Sequence, residues 1–419
     1  HALKLQAASN TQTQTSSNSN SSSSLGVILD SKGGFSVNAS ASQGRGNVDG
    51  QDQRWTNAEI NGGQSIAMQS GADTAMKGGI VSAPQVTVAA GGTLDIESLQ
   101  DSSTYNSRQK QLGGSATIGT APSGNLNYAK SHIDSTYTSV TEQSGIRAGN
   151  GGFDVKVTGD TTLKGGVISS TQAAVDAHRN SFTTDGQVST TAIDNRAHYQ
   201  AESVSVNLGT GFSAQGKLAP TGTGVGFGKD SNNAASTTQA GISGVAGDTS
   251  LRTGDKTTGI AKIFDADKVQ KELIAQTQIT QEFSSRANKM VGEYVESQQK
   301  ALHKALKDAP SEEAKRQIKQ QQSDLRKTEH AFNILIGAVT GVASATVTKE
   351  ALSAAAGKMR DLMIEDSQKF RGITDGKTTI TNMSGSSAGV RHDEIKLGGT
   401  RMDLDALCGK AYYRCESNE

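Results

Sequence analysis

The chain contains a long internal repeat, and this feature restricts its possible folds more than any other. The segment TAMKGGIVSAPQ at residues 74–85 returns, with conservative changes, as TTLKGGVISSTQ at residues 161–172. The similarity reaches upstream, because LKLQAASNTQTQT at residues 3–15 aligns with LDIESLQDSSTYN at residues 94–106. Repeats of supersecondary size are typical of proteins in which each unit covers the apolar face of its neighbour.

A shorter period lies inside each long unit. Ile66 is followed about 20 residues later by Val86, and Val155 is followed at the same spacing by Val175. Apolar residues that alternate with polar ones predict strands with one buried face, and the Gly, Asn, Asp and Ser residues between them predict turns. We therefore expect a mainly β fold, in which residues 1–206 form a right-handed parallel β-helix. An α-helical domain and a small mixed tail follow it.

The composition agrees with a slender interior. Only 33% of the residues are hydrophobic and 4% are aromatic, whereas the chain contains 48 Gly. The formal net charge is zero, so no global field attracts nucleic acid. The Lys and Arg residues of the helical region alternate with Glu and Gln and lack interleaved aromatic residues, so we expect no nucleic-acid partner.

The polar run TSSNSNSSSS at residues 15–24 has two interpretations. It can form a protruding flexible loop, or its side chains can stack into polar ladders. We favour the loop.

Three changes of character divide the rest of the chain. Residues 207–260 are dense in glycine and predict weak strands that end the rod, followed by a linker. The density of charged residues roughly doubles near residue 260, where a helical domain at residues 261–369 begins. Residues 370–419 return to short strands and turns.

The helical domain shows two apolar stripes. Residues 263–306 carry the first stripe, with Asp265 or Asp267 as a cap, and after Pro310 the pattern resumes at residues 311–336. We expect two antiparallel helices that bury these stripes against each other. The first stripe consists of Val269, Leu273, Ile279, Phe283, Ala287, Met290, Tyr294, Leu302 and Leu306.

An apolar segment, NILIGAVTGVASATV, occupies residues 333–347. Its GxxxG spacing permits close approach of helices, inside a bilayer or in a soluble domain. Because it is shorter than the ~20 residues that span a membrane, we favour a buried helix or hairpin and keep transient membrane contact as the alternative. A third helix is expected at residues 348–366.

The repeats and the segment after them resemble a known family. A third, truncated copy at residues 193–206 places Tyr199 where the second copy has Tyr105. The GGxxTxxGGxI units with this tyrosine strand, SGVAGDTSLRTGDKTTG, and above all KIFDADKVQKELIAQTQITQEFS at residues 262–284 resemble filamentous haemagglutinin-type exoproteins. These include the effectors of contact-dependent growth inhibition.

The resemblance implies haemagglutinin repeats followed by a region that precedes a toxin. It further implies a secreted protein, part of a longer polypeptide, that an outer-membrane two-partner transporter exports to the bacterial cell surface. The implied partners are a target-cell surface receptor and, if a toxin is attached, an immunity protein. The chain departs from the family in lacking a VENN motif, so the usual toxin boundary cannot be placed.

Few residues suggest catalysis. In GTGVGFGKDS at residues 222–231, Thr223 stands where a phosphate-binding loop needs its first Gly and Asp230 stands where it needs Ser or Thr. A flexible linker is the better interpretation. The seven His residues lack metal-ligand spacing, so we expect neither metal nor cofactor.

Two weak candidates lie in the tail. Arg391, His392 and Asp393 form a cluster that could perform acid–base chemistry on a phosphate ester, although such a run is more often an exposed turn. Cys408 and Cys415 are the two cysteines of the chain. We favour a disulfide between them over free thiols, because the rest of the sequence indicates an exported protein.

The sequence therefore predicts a structural and delivery segment without enzymatic activity of its own. It would present a C-terminal module to neighbouring cells. Two alternatives stay open, namely an adhesin that binds host or sibling-cell receptors, and an enzymatic, nuclease-like toxin in the tail.

Overall fold

The computed structural model describes residues 1–29, 35–119, 122–212, 218–220, 223–245, 250–256, 258–339, 355–364, 394–397 and 400–403. Strands occupy most of the repeat region, and two long helices follow it. The prediction of a mainly β fold with a C-terminal helical part is confirmed.

The strands in chain order are β1 (Leu3–Gln6), β2 (Ala8–Leu29), β3 (Phe35–Thr56), β4 (Ala58–Asn61), β5 (Ser65–Ser70), β6 (Thr74–Lys77), β7 (Gly79–Ala90), β8 (Leu94–Glu97), β9 (Asp101–Gly119), β10 (Ser123–Ser139), β11 (Gly145–Val157), β12 (Thr161–Lys164), β13 (Val167–Ser169), β14 (Ser181–Thr184), β15 (Val188–Thr191), β16 (Ile193–Phe212), β17 (Leu218–Pro220), β18 (Gly224–Thr238), β19 (Gly241–Ile242), β20 (Glu394–Leu397) and β21 (Thr400–Asp403). The helices are α1 (Gln172–Asp176), α2 (Ala266–Lys307) and α3 (Glu312–Val339), and residues 355–364 are also helical.

Two parallel sheets are built from the short strands of the repeats. One has the order β1-β6-β8-β12-β15, and the other joins β4 and β5 to β7, β11, β13, β14 and β19. Their apolar side chains form one core, because burial of one face per strand requires a second layer. The fully buried members of this core include Met76, Val81, Val86, Val88, Leu94, Ile96, Ile146, Phe153, Leu163 and Ile168.

The short period predicted from the sequence is right at one position and wrong at another. Ile66 stands in register with Val86, as the spacing predicts. Val155 instead pairs with Phe182, because Val175 lies in α1. The inserted helix lengthens this connection, so the fixed spacing fails there.

The repeated KGG motif marks a turn at the end of β6 and of β12. Gly78 and Gly165 have positive φ angles of 66° and 58°, which glycine adopts without strain. The carboxylate of Glu97 lies between the two copies, 3.1 Å from Lys77 Nζ and 3.0 Å from Lys164 Nζ. The two motifs are therefore bridged by the intervening strand β8, which pairs with both β6 and β12.

A third sheet is antiparallel and departs from the expectation that a β-helix accounts for all of residues 1–206. Its order is β2-β3-β9-β10-β16, and β17 and β18 both pair with the remaining side of β16. The strands of Ala8–Thr56 and Asp101–Ser139 are rich in Ser, Thr, Asn and Gln. Such side chains cannot fill an apolar interior, but long antiparallel pairing satisfies their backbone groups.

The loop predicted for residues 15–24 is wrong. This segment lies within β2 and pairs with β3 along its length. Ser22 Oγ lies 2.8 Å from Ser42 Oγ, and Ser24 Oγ lies 2.8 Å from Ser40 Oγ. Cross-strand hydroxyl pairs of this kind stabilise a polar strand, which is the polar ladder considered as the alternative.

The helices confirm part of the predicted packing. Asp265 caps α2, since its Oδ1 accepts a hydrogen bond of 3.0 Å from Lys268 N. The C-terminal half of α2 packs against α3 and the helix at 355–364, with a core formed by Phe283, Ala287, Val291, Val295, Leu325, Ala331, Phe332, Ile336, Ala355 and Met359. The N-terminal half does not face α3, because Val269 and Leu273 are buried against the antiparallel sheet.

Part of the apolar segment at residues 333–347 belongs to α3, and residues 340–347 lie outside the described residues. Within the part of the chain that the structure describes, no helix has the length and apolar character needed to cross a membrane.

Candidate functional site

The candidate functional site is the junction at which residues 258–264 and the N-terminal half of α2 lie on the antiparallel sheet. Phe264 inserts between Tyr105 and Tyr199, with ring centroids 5.2 and 5.5 Å apart. The two tyrosines occupy the same position in two repeat copies. Ser135 of β10 stands in register between them, and its small side chain leaves room for the Phe264 ring.

The hydroxyl of Tyr199 is hydrogen-bonded to a carboxylate of the neighbouring strand β18. It donates a hydrogen bond of 3.0 Å to Asp230 Oδ2. Burial, together with this hydrogen bond and the negative charge of Asp230, raises the pKa of Tyr199 to about 12. Ile133, Val269 and Leu273 complete the apolar surroundings, so the tyrosine anchors the helix through packing and not through charge.

A second set of contacts holds the chain just before Phe264. Tyr137 donates a hydrogen bond of 2.9 Å to Ile260 O, and Ser139 Oγ accepts one of 2.9 Å from Ile260 N. Lys262 Nζ lies 3.0 Å from Asp52 Oδ1 and 5.7 Å from the centre of the Tyr137 ring. Partial burial raises the pKa of Asp52, but hydrogen bonds from Ser103 and Lys262 outweigh it, so this pKa lies below its ordinary value.

A cavity of about 190 Å³ lies beside these contacts. Its lining combines polar and aromatic side chains, among them Gln12, Gln51, Ser103, Tyr137 and Lys262. Among the described residues, no three His, Cys, Asp or Glu side chains are close enough to hold a metal ion. The contacts that the junction does contain are aromatic packing, hydrogen bonds and one ion pair.

Glycines of β18 form the surface on which α2 sits. Gly224, Gly226 and Gly228 are buried, and an added Cβ at Gly228 would lie 2.7 Å from Leu273 O. A Cβ at Gly226 would collide with the carbonyl of Thr277. The alternating glycines therefore permit the helix backbone to approach the strand closely.

Side chains of α2 also satisfy the outer backbone groups of β18. The amides of Val225 and Phe227 donate to Ser284 Oγ at 3.0 Å and to Thr280 Oγ1 at 2.7 Å. Lys229 N donates to Gln276 Oε1 at 2.9 Å. Four helical residues rise about 6 Å and two strand residues about 6.8 Å, so the two periods nearly coincide. In this way α2 replaces a neighbouring strand at the sheet edge.

The linker interpretation of residues 222–231 is therefore wrong for the described part. The segment from Gly224 to Lys229 is strand, and its glycines contact a helix. Alternation of glycine at every second residue was the available signal, because a flexible linker does not require this period.

The sequence also predicts site residues in the tail. Arg391, His392, Asp393, Cys408 and Cys415 lie outside the described residues. The described strands next to them, β20 and β21, pair as an antiparallel hairpin. The aromatic anchor at Phe264 was missed by sequence reasoning, although the equivalence of Tyr105 and Tyr199 was visible.

Comparisons with known proteins agree with the resemblance. The hemagglutinin repeat family matches residues 1–114. A protein named Toxin CdiA from Escherichia coli is 34% identical over 335 residues, which cover 74% of this chain and 10% of that protein. A tRNA nuclease CdiA from Yersinia mollaretii is 32% identical over 354 residues, 79% of this chain and 12% of that protein.

A Deoxyribonuclease CdiA from Dickeya dadantii is 34% identical over 224 residues, which cover 52% of this chain and 6% of that protein. The chain thus spans only a small part of the length of these relatives. All three relatives carry the name CdiA. The hemagglutinin repeat match covers the first copy of the internal repeat and the beginning of the second. The chain is a CdiA/filamentous haemagglutinin-type protein.

Proposed function

We propose that the chain is a structural and delivery segment of a secreted bacterial surface exoprotein of the contact-dependent growth inhibition type. Its role is to present a C-terminal module to neighbouring cells. The observation that supports this role is the docking of Phe264 and α2 on the sheet formed by the repeats. Because the helical region is fixed to the repeats, the repeats determine the position of any module that follows the helices.

The repeats form the extended part of the proposed delivery segment. We infer that the two parallel sheets are faces of a right-handed β-helix, from which the long hairpins project. The continuous registers Leu3–Thr74–Leu94 and Leu94–Thr161–Val188 support stacked turns of a solenoid. The proposed units are the repeats at 1–206, the end of the rod at 207–260, the helical domain at 261–369 and the tail at 370–419.

The proposed location and partners follow from family membership. The exoprotein would lie at the outer surface of a Gram-negative cell, where a two-partner outer-membrane transporter delivers it. A receptor on the target cell would be its second partner, and an immunity protein a third if a toxin is attached. The names of the relatives include toxin and nuclease, which agrees with delivery of a toxic module.

A chimera tests this function. The aligned segment of the E. coli CdiA relative is replaced by this chain, and bacteria that display the chimera are co-cultured with target bacteria. We expect growth inhibition of the targets. A chimera with Gly226→Leu and Phe264→Ala should reach the surface in equal amount and inhibit less, because the helical region is undocked.

The control variant is Tyr128→Ala, which removes an aromatic side chain that is 39% exposed on the same sheet. It should inhibit as well as the unchanged chimera. Full inhibition by the undocked variant at equal surface display would contradict the proposed role of the junction.

An enzymatic tail is the second candidate, and the nuclease names of two relatives favour it. The test is growth of bacteria that produce the full chain in the cytoplasm, beside a variant with Arg391, His392 and Asp393 changed to Ala. Arrest that the triple variant relieves at equal protein level would assign catalysis to the tail. Normal growth with verified expression agrees with a purely structural segment.

A further inference from the structure

The antiparallel sheet grows by one pair of long strands per repeat copy, always in the same order. Within each copy a first strand pairs with a second strand, namely β2 with β3, β9 with β10, and β16 with β18. Between copies, the first strand lies against the second strand of the preceding copy, as β9 lies against β3 and β16 against β10.

The register between copies is also the same. Asp49 pairs with Asn106, and Asp134 pairs with Gln200. The sequence alignment of the copies makes Asp134 equivalent to Asp49, and Gln200 equivalent to Asn106. The residue of β2 equivalent to Asn106 and Gln200 is Thr15. It pairs with Asp49 on its inner side.

The two edges of this sheet differ in what lies against them. At the β18 edge, Gln276, Thr280 and Ser284 of α2 accept hydrogen bonds from the strand's amides. At the other edge, β2 pairs with β3 only, and no other strand of the described residues lies along it. The 22 residues of β2 include no charged residue and no proline, although these are the usual means of protecting an exposed edge.

We propose that the outer edge of β2 is a docking surface for one further antiparallel strand, the second strand of a haemagglutinin-repeat hairpin. Continuity with the existing contacts between copies identifies this occupant. An incoming strand of the β10 type would place the equivalent of Asp134 opposite Thr15, as β10 places it opposite Gln200.

The same geometry gives α2 a second role as an edge cap. Among the strands that the structure describes, a second copy of this chain offers no free second strand, because β3 and β10 are paired on both sides and α2 covers the edge of β18. Docking of a repeat strand on β2 therefore does not extend into head-to-tail polymerisation of the chain, which heterologous contacts otherwise favour.

A peptide binding experiment tests the docking surface. The probe is a fluorescent peptide with the sequence of residues 123–139, added to the full chain and followed by fluorescence anisotropy. We expect saturable binding. A chain with Thr11, Thr13 and Ser17 changed to Lys should bind at least about tenfold more weakly, because edge lysines oppose strand addition.

The matched control places three lysines at exposed helix positions by changing Gln298, Gln317 and Gln321. This variant should bind the peptide as the unchanged chain does. A second pair of probes leaves the protein unaltered, since the peptide is N-methylated at either its even-numbered or its odd-numbered residues. Antiparallel pairing uses the amides of alternate residues, so only one of the two methylated peptides should bind.

Three results would overturn the proposal. They are absence of saturable binding of the unmodified peptide, equal loss of binding in the helix-lysine control, and equal binding of both methylated peptides. The cap is tested separately with Gly226→Leu in the full chain, which we expect to form concentration-dependent oligomers in sedimentation velocity. Adding the three lysine substitutions on β2 to Gly226→Leu should suppress these oligomers. Equal oligomer formation with and without the lysines would overturn the assignment of β2 as the docking edge.

Discussion

At the scale of single residues, Phe264 carries the contact between the helical region and the repeats. Phe264→Ala removes a half-buried ring from two aromatic neighbours. We expect the free energy of unfolding to fall by roughly 2 kcal/mol, measured by urea denaturation. The control Phe35→Ala removes a ring that is 56% exposed and should change stability little. Equal effects of the two substitutions would argue against an anchor at Phe264.

Tyr199 provides a prediction about alkaline pH. Its folded-state pKa of about 12 lies above the ordinary value of 10.0, so the folded state retains the proton that the unfolded state releases. This contribution to stability is complete below pH 10 and is lost as the pH rises towards 12. The free energy of unfolding should therefore fall less steeply across this range in Tyr199→Phe than in the unchanged protein. Parallel curves would contradict the raised pKa.

At the scale of elements, the contact between α2 and β18 depends on side chains spaced four residues apart. Thr280→Val removes the acceptor of Phe227 N and leaves that amide unpaired. We expect a loss of about 1–2 kcal/mol in the free energy of unfolding. Thr328→Val is the matched control, because that hydroxyl donates only to Asp324 O within α3. Thr328→Val should lower the free energy of unfolding clearly less than Thr280→Val does. Equal losses would mean that the hydrogen bond from Phe227 N to Thr280 does not stabilise the contact between α2 and β18.

The sequence predicts the parallel part of the fold better than the antiparallel part. Ile66 and Val86 alternate with polar residues, so their strands and register follow from the pattern. The strand from Ala8 to Leu29 lacks this contrast between apolar and polar residues, so periodicity does not reveal its pairing with β3, the next strand in the chain. The spacing of 20 residues also fails after Val155. Helix α1 is inserted there and lengthens the connection to the next strand, so Val155 pairs with Phe182.

The candidate site was partly visible in the sequence. The equivalence of Tyr105 and Tyr199 indicates a repeated strand, and the glycines at 224, 226 and 228 indicate a strand with one bare face. Their common partner, the segment from Phe264 into α2, cannot be identified by periodicity. Its apolar stripe predicts a helix but does not distinguish a helical partner from a sheet, and α2 packs against both.

At the scale of the whole molecule, α2 joins two cores. Its N-terminal half belongs to the core with Ile133 and Tyr199, and its C-terminal half to the core with Phe332. We expect the repeats and the helical region to unfold in one transition when followed by both far-ultraviolet circular dichroism and tyrosine fluorescence. Gly226→Leu should separate the two probes into distinct transitions. Separate transitions in the unchanged protein would show that the two regions are not coupled.

The most direct test of the junction is amide hydrogen exchange at the two edges of the antiparallel sheet. If α2 replaces a strand at β18, the amides of Val225, Phe227 and Lys229 should be protected like those of an interior strand. The outward-facing amides of β2 should exchange much faster in the isolated chain. Exchange at Val225, Phe227 and Lys229 as fast as at the β2 edge would contradict the docking of the helical region on the repeats.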